Sequence, residues 1–127
     1  MTNVRLYYIA AVAWLLVCTW LLTLPGAKIP TENIFTRLHF DKLVHIILFF
    51  ILVLVLCWSV SGKNSDGGRL KKIFLVIAIL ALVYGIGMEF VQRFLVKFRT
   101  FDGLDILADG AGCAFGLVLS NRRYIKK

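Results

Sequence analysis

YGIGMEFVQRFLVKFRTFDGLDILADGAGCAFG, residues 84–116, holds four of the chain's seven carboxylates: Glu89, Asp102, Asp105 and Asp109. These acids lie between and inside two apolar runs that otherwise read as membrane-spanning. An ionised side chain in a hydrocarbon helix costs several kcal/mol unless it is paired or hydrated, so it faces a protein interior, a cavity or an interface. Four in one helical hairpin point to a polar site within a membrane protein.

The composition supports the membrane reading. The chain has 127 residues, 60% of them hydrophobic, and a mean hydropathy of +0.84. A water-soluble domain of this length needs more polar surface than that to clothe its core. Runs of about 20 apolar residues match a hydrocarbon layer of about 30 Å. The net charge of +8 would suit a nucleic-acid binder, but the fifteen Lys and Arg residues stand at the ends of apolar runs. They read as topology signals, with anionic lipid headgroups as the nearest partner and no nucleic acid. Cys18, Cys57 and Cys113 all fall within apolar runs, which argues against a disulfide framework and a CxxC zinc site.

Four spans are expected, at about 6–24, 43–60, 73–92 and 104–120, forming a single transmembrane domain over residues 1–127. Span 1 carries Tyr7, Tyr8, Trp14 and Trp20 and stops at Pro25-Gly26. It has no small-x-small cleavage site and reads as a retained anchor rather than a secretory leader. Residues 27–40, with Ile34, Phe35 and Leu38 at helical spacing after Pro30 and Thr31, predict a short amphipathic helix on the membrane surface. Span 2 follows Asp41-Lys42 and contains His45. SGKNSDGG is the clearest loop. Span 4 is the weakest span, because it carries Asp105, Asp109, Gly110, Gly112 and Gly116.

Nine basic residues lie in the N-terminus, the 61–72 loop and the tail, against six in the other two loops. The positive-inside rule then puts both termini in the cytoplasm. The fold class is therefore all-α: an integral membrane four-helix bundle with an interfacial helix after span 1.

The polar residues converge on one layer. At 1.5 Å per residue, His45 is about 6 Å past Asp41, Glu89 about 4–5 Å before Gln92, and Asp109 about 7 Å past Leu104. Each helix keeps them on one face: Gly85, Glu89 and Gln92 within about 60° of arc, and Asp102, Asp105, Asp109, Gly112 and Gly116 within about 80°. The glycines share that face, so backbones can approach closely there.

These residues resemble the VanZ-like membrane proteins. The resemblance rests on Asp41-Lys42 with His45, on Tyr84-Gly85 with Glu89-Phe90-x-Gln92, and on Arg99, Asp102, Asp105, Asp109, Gly112 and Gly116. It runs from about Leu24 onward and departs from the family pattern at Asp109, where Asn is expected. It implies a bacterial inner-membrane protein of the cell envelope that binds or modifies a lipid or cell-wall component at the outer leaflet. An effect on resistance to the glycopeptide teicoplanin goes with it, but no established catalytic mechanism.

The residues themselves leave three readings open. In the first, Glu89, His45, Asp105 and Asp109 act as acid or base, with Asp41, Gln92, Arg99 and Asp102 binding the substrate. Arg99 would hold an anionic group, and membrane lipids, a lipid-linked molecule or a glycopeptide would be the ligand. Burial favours the neutral form of Glu89 and a nearby Arg99 the charged form, while Asp41 at i−4 would orient His45. The second reading is a small proton-coupled transporter. The third is a structural or partner-binding protein whose cluster only holds the fold, with Arg93 or Arg99 pairing the acids. No cofactor is expected, although Asp102, Asp105, Asp109 and the histidines could in principle hold a divalent cation. A dimer through Gly112-x-x-x-Gly116 competes with packing inside the chain.

Overall fold

The computed structural model describes residues 2–23, 34–61, 67–95 and 103–125, without the side chains of 2–5 and 34–41. These residues form four helices: α1 (Thr2–Leu22), α2 (Ile34–Ser61), α3 (Gly67–Leu95) and α4 (Gly103–Tyr124). No strand occurs among the described residues.

Three of the helices, α2, α3 and α4, are long and apolar enough to cross a membrane. The apolar part of α1 is shorter, from Leu6 to Leu22. One boundary differs from the sequence reading. Residues 34–40 are the first turns of α2, not a separate interfacial helix. No Gly or Pro occurs between Ile34 and Ser61, and neither Asp41 nor Lys42 is a helix breaker, so the backbone runs on without interruption. Residues 27–33 of the expected helix lie outside the described residues. In α4, Asp105 stands in the first turn and Arg122 and Arg123 in the last, the charge order that complements the helix dipole.

Side-chain contacts fix how the helices run. Tyr7 at the start of α1 stacks on Trp58 near the end of α2, with ring centroids 4.2 Å apart. Phe74 near the start of α3 meets Tyr124 at the end of α4 edge-on. The starts of α2 and α4 therefore lie at the same end of the molecule as the ends of α1 and α3. The most extensive packing is between α2 and α4, followed by α3 on α4, while α1 rests on α2 and only touches α3.

The α2–α4 seam is close because of two glycines. A Cβ on Gly112 would fall on the carbonyl oxygen of Ile46, and one on Gly116 would come within 2.9 Å of Val53 and 3.0 Å of the Phe50 carbonyl. The face considered for a dimer is thus filled by α2 of the same chain. Phe49, Leu52, Val53, Phe74, Cys18 and Cys57 form the centre of the apolar core. All three cysteines are buried and free.

Candidate functional site

At the end where α2 and α4 begin, four ionisable side chains line up across the seam. Lys42 and His45 are three residues apart on α2, and Asp105 and Asp109 four apart on α4, so each pair shares a helix face. The Lys42 ammonium donates to Asp105 Oδ1 at 2.5 Å. His45 Nδ1 lies 2.7 Å from Asp109 Oδ1, and His45 Nε2 is 3.7 Å from Asp105 Oδ2. The order Lys42, Asp105, His45, Asp109 runs from partly exposed to fully enclosed: Lys42 keeps 19% of its side-chain surface open and Asp109 only 1%.

This geometry constrains the protons. An ionised Asp109 can only accept, so Nδ1 of His45 carries a hydrogen and donates it. The contact of Nε2 with Asp105 is too long for a hydrogen bond but within ion-pair range. A second proton, on Nε2, would leave the imidazolium facing carboxylates on both sides. Protonated His45 and Lys42 together balance the charge of Asp105 and Asp109, which is the condition for keeping such groups buried.

The third wall comes from α3. A Cβ on Gly85 would stand 2.7 Å from Asp109 Oδ2 and 3.0 Å from the Phe49 ring, so glycine there leaves room for the buried carboxylate. Glu89, one turn further along α3, is buried with 1% exposure, as is Gln92. The Gln92 amide nitrogen donates to the Leu22 carbonyl at 2.6 Å, serving one of the carbonyls that the last turn of α1 leaves open. Tyr84 and Thr19 share a 2.6 Å hydrogen bond beside the Phe49–Tyr84 ring contact.

Of the residues singled out in the sequence, His45, Asp105 and Asp109 come into direct contact, and Glu89 lies buried on α3. Gln92 faces α1. Asp41 lies on the α2 backbone with its side chain outside the described part, and Arg99 and Asp102 fall outside the described residues. Arg93 is exposed, 5.5 Å over the Phe94 ring, and the cation on Asp105 is Lys42. Sequence reasoning left Lys42 out of the candidate set. The signal was present in its i, i+3 spacing from His45, which puts both on one face. Among the described residues no group of three or more His, Cys, Asp or Glu side chains is placed to hold a metal ion.

No family model matches the chain, and no solved structure matches it. An uncharacterized protein of the fission yeast Schizosaccharomyces pombe is 38% identical over 90 residues, covering 68% of this chain and 52% of the relative. The chain therefore spans about half the length of that curated relative. A eukaryotic relative conflicts with a bacterial family and overturns three expectations together. These are membership of the VanZ-like proteins, an envelope function at the bacterial outer leaflet bearing on teicoplanin resistance, and location in the bacterial inner membrane. The motif set is built from small and ionisable residues on helix faces, which close helix packing selects for its own reasons, so the residues alone did not single out that family. The chain is similar to a eukaryotic protein of unassigned function, and three of its helices are long and apolar enough to cross a membrane.

Proposed function

We propose that this is a membrane-spanning four-helix bundle, with both termini on the cytoplasmic side, whose working part is a buried proton-exchange site centred on His45. The side chain that takes up and releases the proton is the His45 imidazole at Nε2. Asp109 orients the ring through Nδ1, and Asp105 faces the proton-accepting nitrogen. Lys42 stands at the partly open mouth and holds Asp105 in place. Glu89 is a further acid on the α3 side of the same region. The observation carrying this reading is the 2.7 Å contact of His45 Nδ1 with Asp109, with Nε2 left 3.7 Å from Asp105. A ring oriented by a carboxylate at one nitrogen, with a second carboxylate within ion-pair range of the other, is the arrangement of an oriented acid–base histidine.

The test is a pH titration of 15N-labelled histidine in the full chain, reconstituted in lipid nanodiscs. The His45 signal is identified by its loss in His45→Gln. The expectation is that His45 changes protonation in the course of the titration and that Asp105→Asn moves the transition. A His45 that keeps one protonation state throughout sinks the proposal.

A second reading is favoured by one observation, the Lys42–Asp105 pair, which ties α2 to α4 whatever His45 does. There the cluster is a lock on the fold. Its mark is that Asp105→Asn lowers the melting temperature in detergent and leaves the His45 titration where it was.

A further inference from the structure

The opposite end of the molecule carries a second concentration of charge that the His45 site does not use. Arg69, Lys71 and Lys72 are exposed in the first two turns of α3, and Arg122 and Arg123 are exposed in the last turn of α4. The Phe74–Tyr124 ring contact sets these two helix ends side by side. We propose that this basic end is a binding surface for anionic phospholipid headgroups.

Three features support the assignment. First, the α3 cations are not explained by their own helix. The start of a helix carries partial positive charge, so three cations there repel it, and no acid stands in the first turn to offset them. Second, among the described residues no acid lies near them. Glu89, the described acid on the same helix, is seventeen residues beyond Lys72, about 26 Å along the axis. That is several times the screening length of about 8 Å. In the sequence, residues 1–5, 61–72 and 121–127 together hold nine cations and one acid, Asp66.

Third, exposed apolar residues adjoin each basic cluster on its membrane side. Leu75 and Val76 follow Lys72, and Val118 and Leu119 precede Arg122. Trp58 and Tyr8 are also exposed at this end, aromatics of the kind that settle at the headgroup level. A ligand with an anionic head and apolar tails satisfies both halves of this surface. A nucleic acid or an acidic peptide satisfies only the charged half.

The experiment is native mass spectrometry of the full chain in detergent with phosphatidylglycerol or phosphatidylcholine, on the natural sequence and on Lys71→Gln/Lys72→Gln/Arg122→Gln/Arg123→Gln. The natural chain is expected to retain phosphatidylglycerol at least about tenfold better, and the fourfold variant to lose that preference. Raising the salt concentration on the natural chain gives the same loss without any substitution, so a variant that fails to fold does not protect the proposal. Equal retention of the two lipids overturns it. So does a preference that survives in the folded variant or is indifferent to salt, or a short RNA that binds as tightly as the anionic lipid.

Discussion

Helices α4 and α1 make opposite bargains with their surroundings. The least apolar of the three candidate spans is α4, with a mean hydropathy of 1.4 against 2.9 for α2 and 2.4 for α3, yet it lies along the most extensive packing in the molecule. Asp105, Asp109, Gly112 and Gly116 face inward, against Lys42, His45 and the α2 backbone. In contrast, α1 exposes Leu6, Ile9, Val12, Leu16 and Trp20 along its length. It is held by neutral hydrogen bonds: Trp14 Nε1 to the Leu48 carbonyl, Thr19 to Tyr84 and Gln92 to the Leu22 carbonyl. A helix that lipid solvates poorly must find its partners within the protein, whereas a helix that lipid solvates well can rest on the surface.

The contrast breaks most sharply at Asp109. Asp109→Ala removes the partner of a buried histidine, and the loss of one member of a buried pair costs about 3–5 kcal/mol. A large drop in unfolding midpoint, measured by detergent-denaturant titration, is expected. A midpoint within error of the natural chain would mean that the α2–α4 seam does not depend on its charges.

The glycine contacts come next. Gly112→Ala puts a methyl group onto the α2 backbone, where no flexible side chain can yield, and overpacking of this kind costs about 1–3 kcal/mol. The same substitution at Gly87, which has open space around it, is the control and should be neutral or slightly stabilising. Equal effects at the two positions would remove the case for a close seam. Gly85→Ala sharpens the comparison in another way. Its methyl group displaces the Asp109 carboxylate, so the His45 Nδ1 resonance should shift even where the melting temperature moves little. An unmoved resonance would show that Asp109 does not need the space.

The smallest effect belongs to α1. Thr19→Val removes one neutral hydrogen bond between helices, worth about 0.6 kcal/mol in membranes. Thr19→Val/Tyr84→Phe should cost no more than the larger of the two single changes, because both remove the same bond. Additive losses in a double-mutant cycle would show that the two side chains do not act as a pair.

The seam was partly legible in the sequence. Period-3.6 spacing placed Asp105, Asp109, Gly112 and Gly116 on one face of α4, and counting residues from the helix ends placed His45 and Asp109 at similar depth. What spacing could not say is which helix that face meets. The inward-facing glycine stripe was equally open to a second copy until Ile46, Phe50 and Val53 were seen against it. Lys42 was passed over because a cation at the end of an apolar run reads as a topology marker, and only its i, i+3 relation to His45 hinted otherwise. The interfacial helix was expected because residues 27–40 change polarity, but polarity does not end a helix when no Gly or Pro interrupts the backbone.

By itself the sequence determined that this chain is helical, that at least three stretches can cross a membrane, and that all but one of its carboxylates gather toward one end. These properties follow from local chemistry: run length, periodicity and the cost of charge in hydrocarbon. The tertiary structure alone decided that Lys42 pairs with Asp105, that His45 lies between two carboxylates of α4, and that Gly85 makes room for one of them. The two direct bonds among these join residues 63 and 64 positions apart, and a helical face does not specify its partner until the backbones have met.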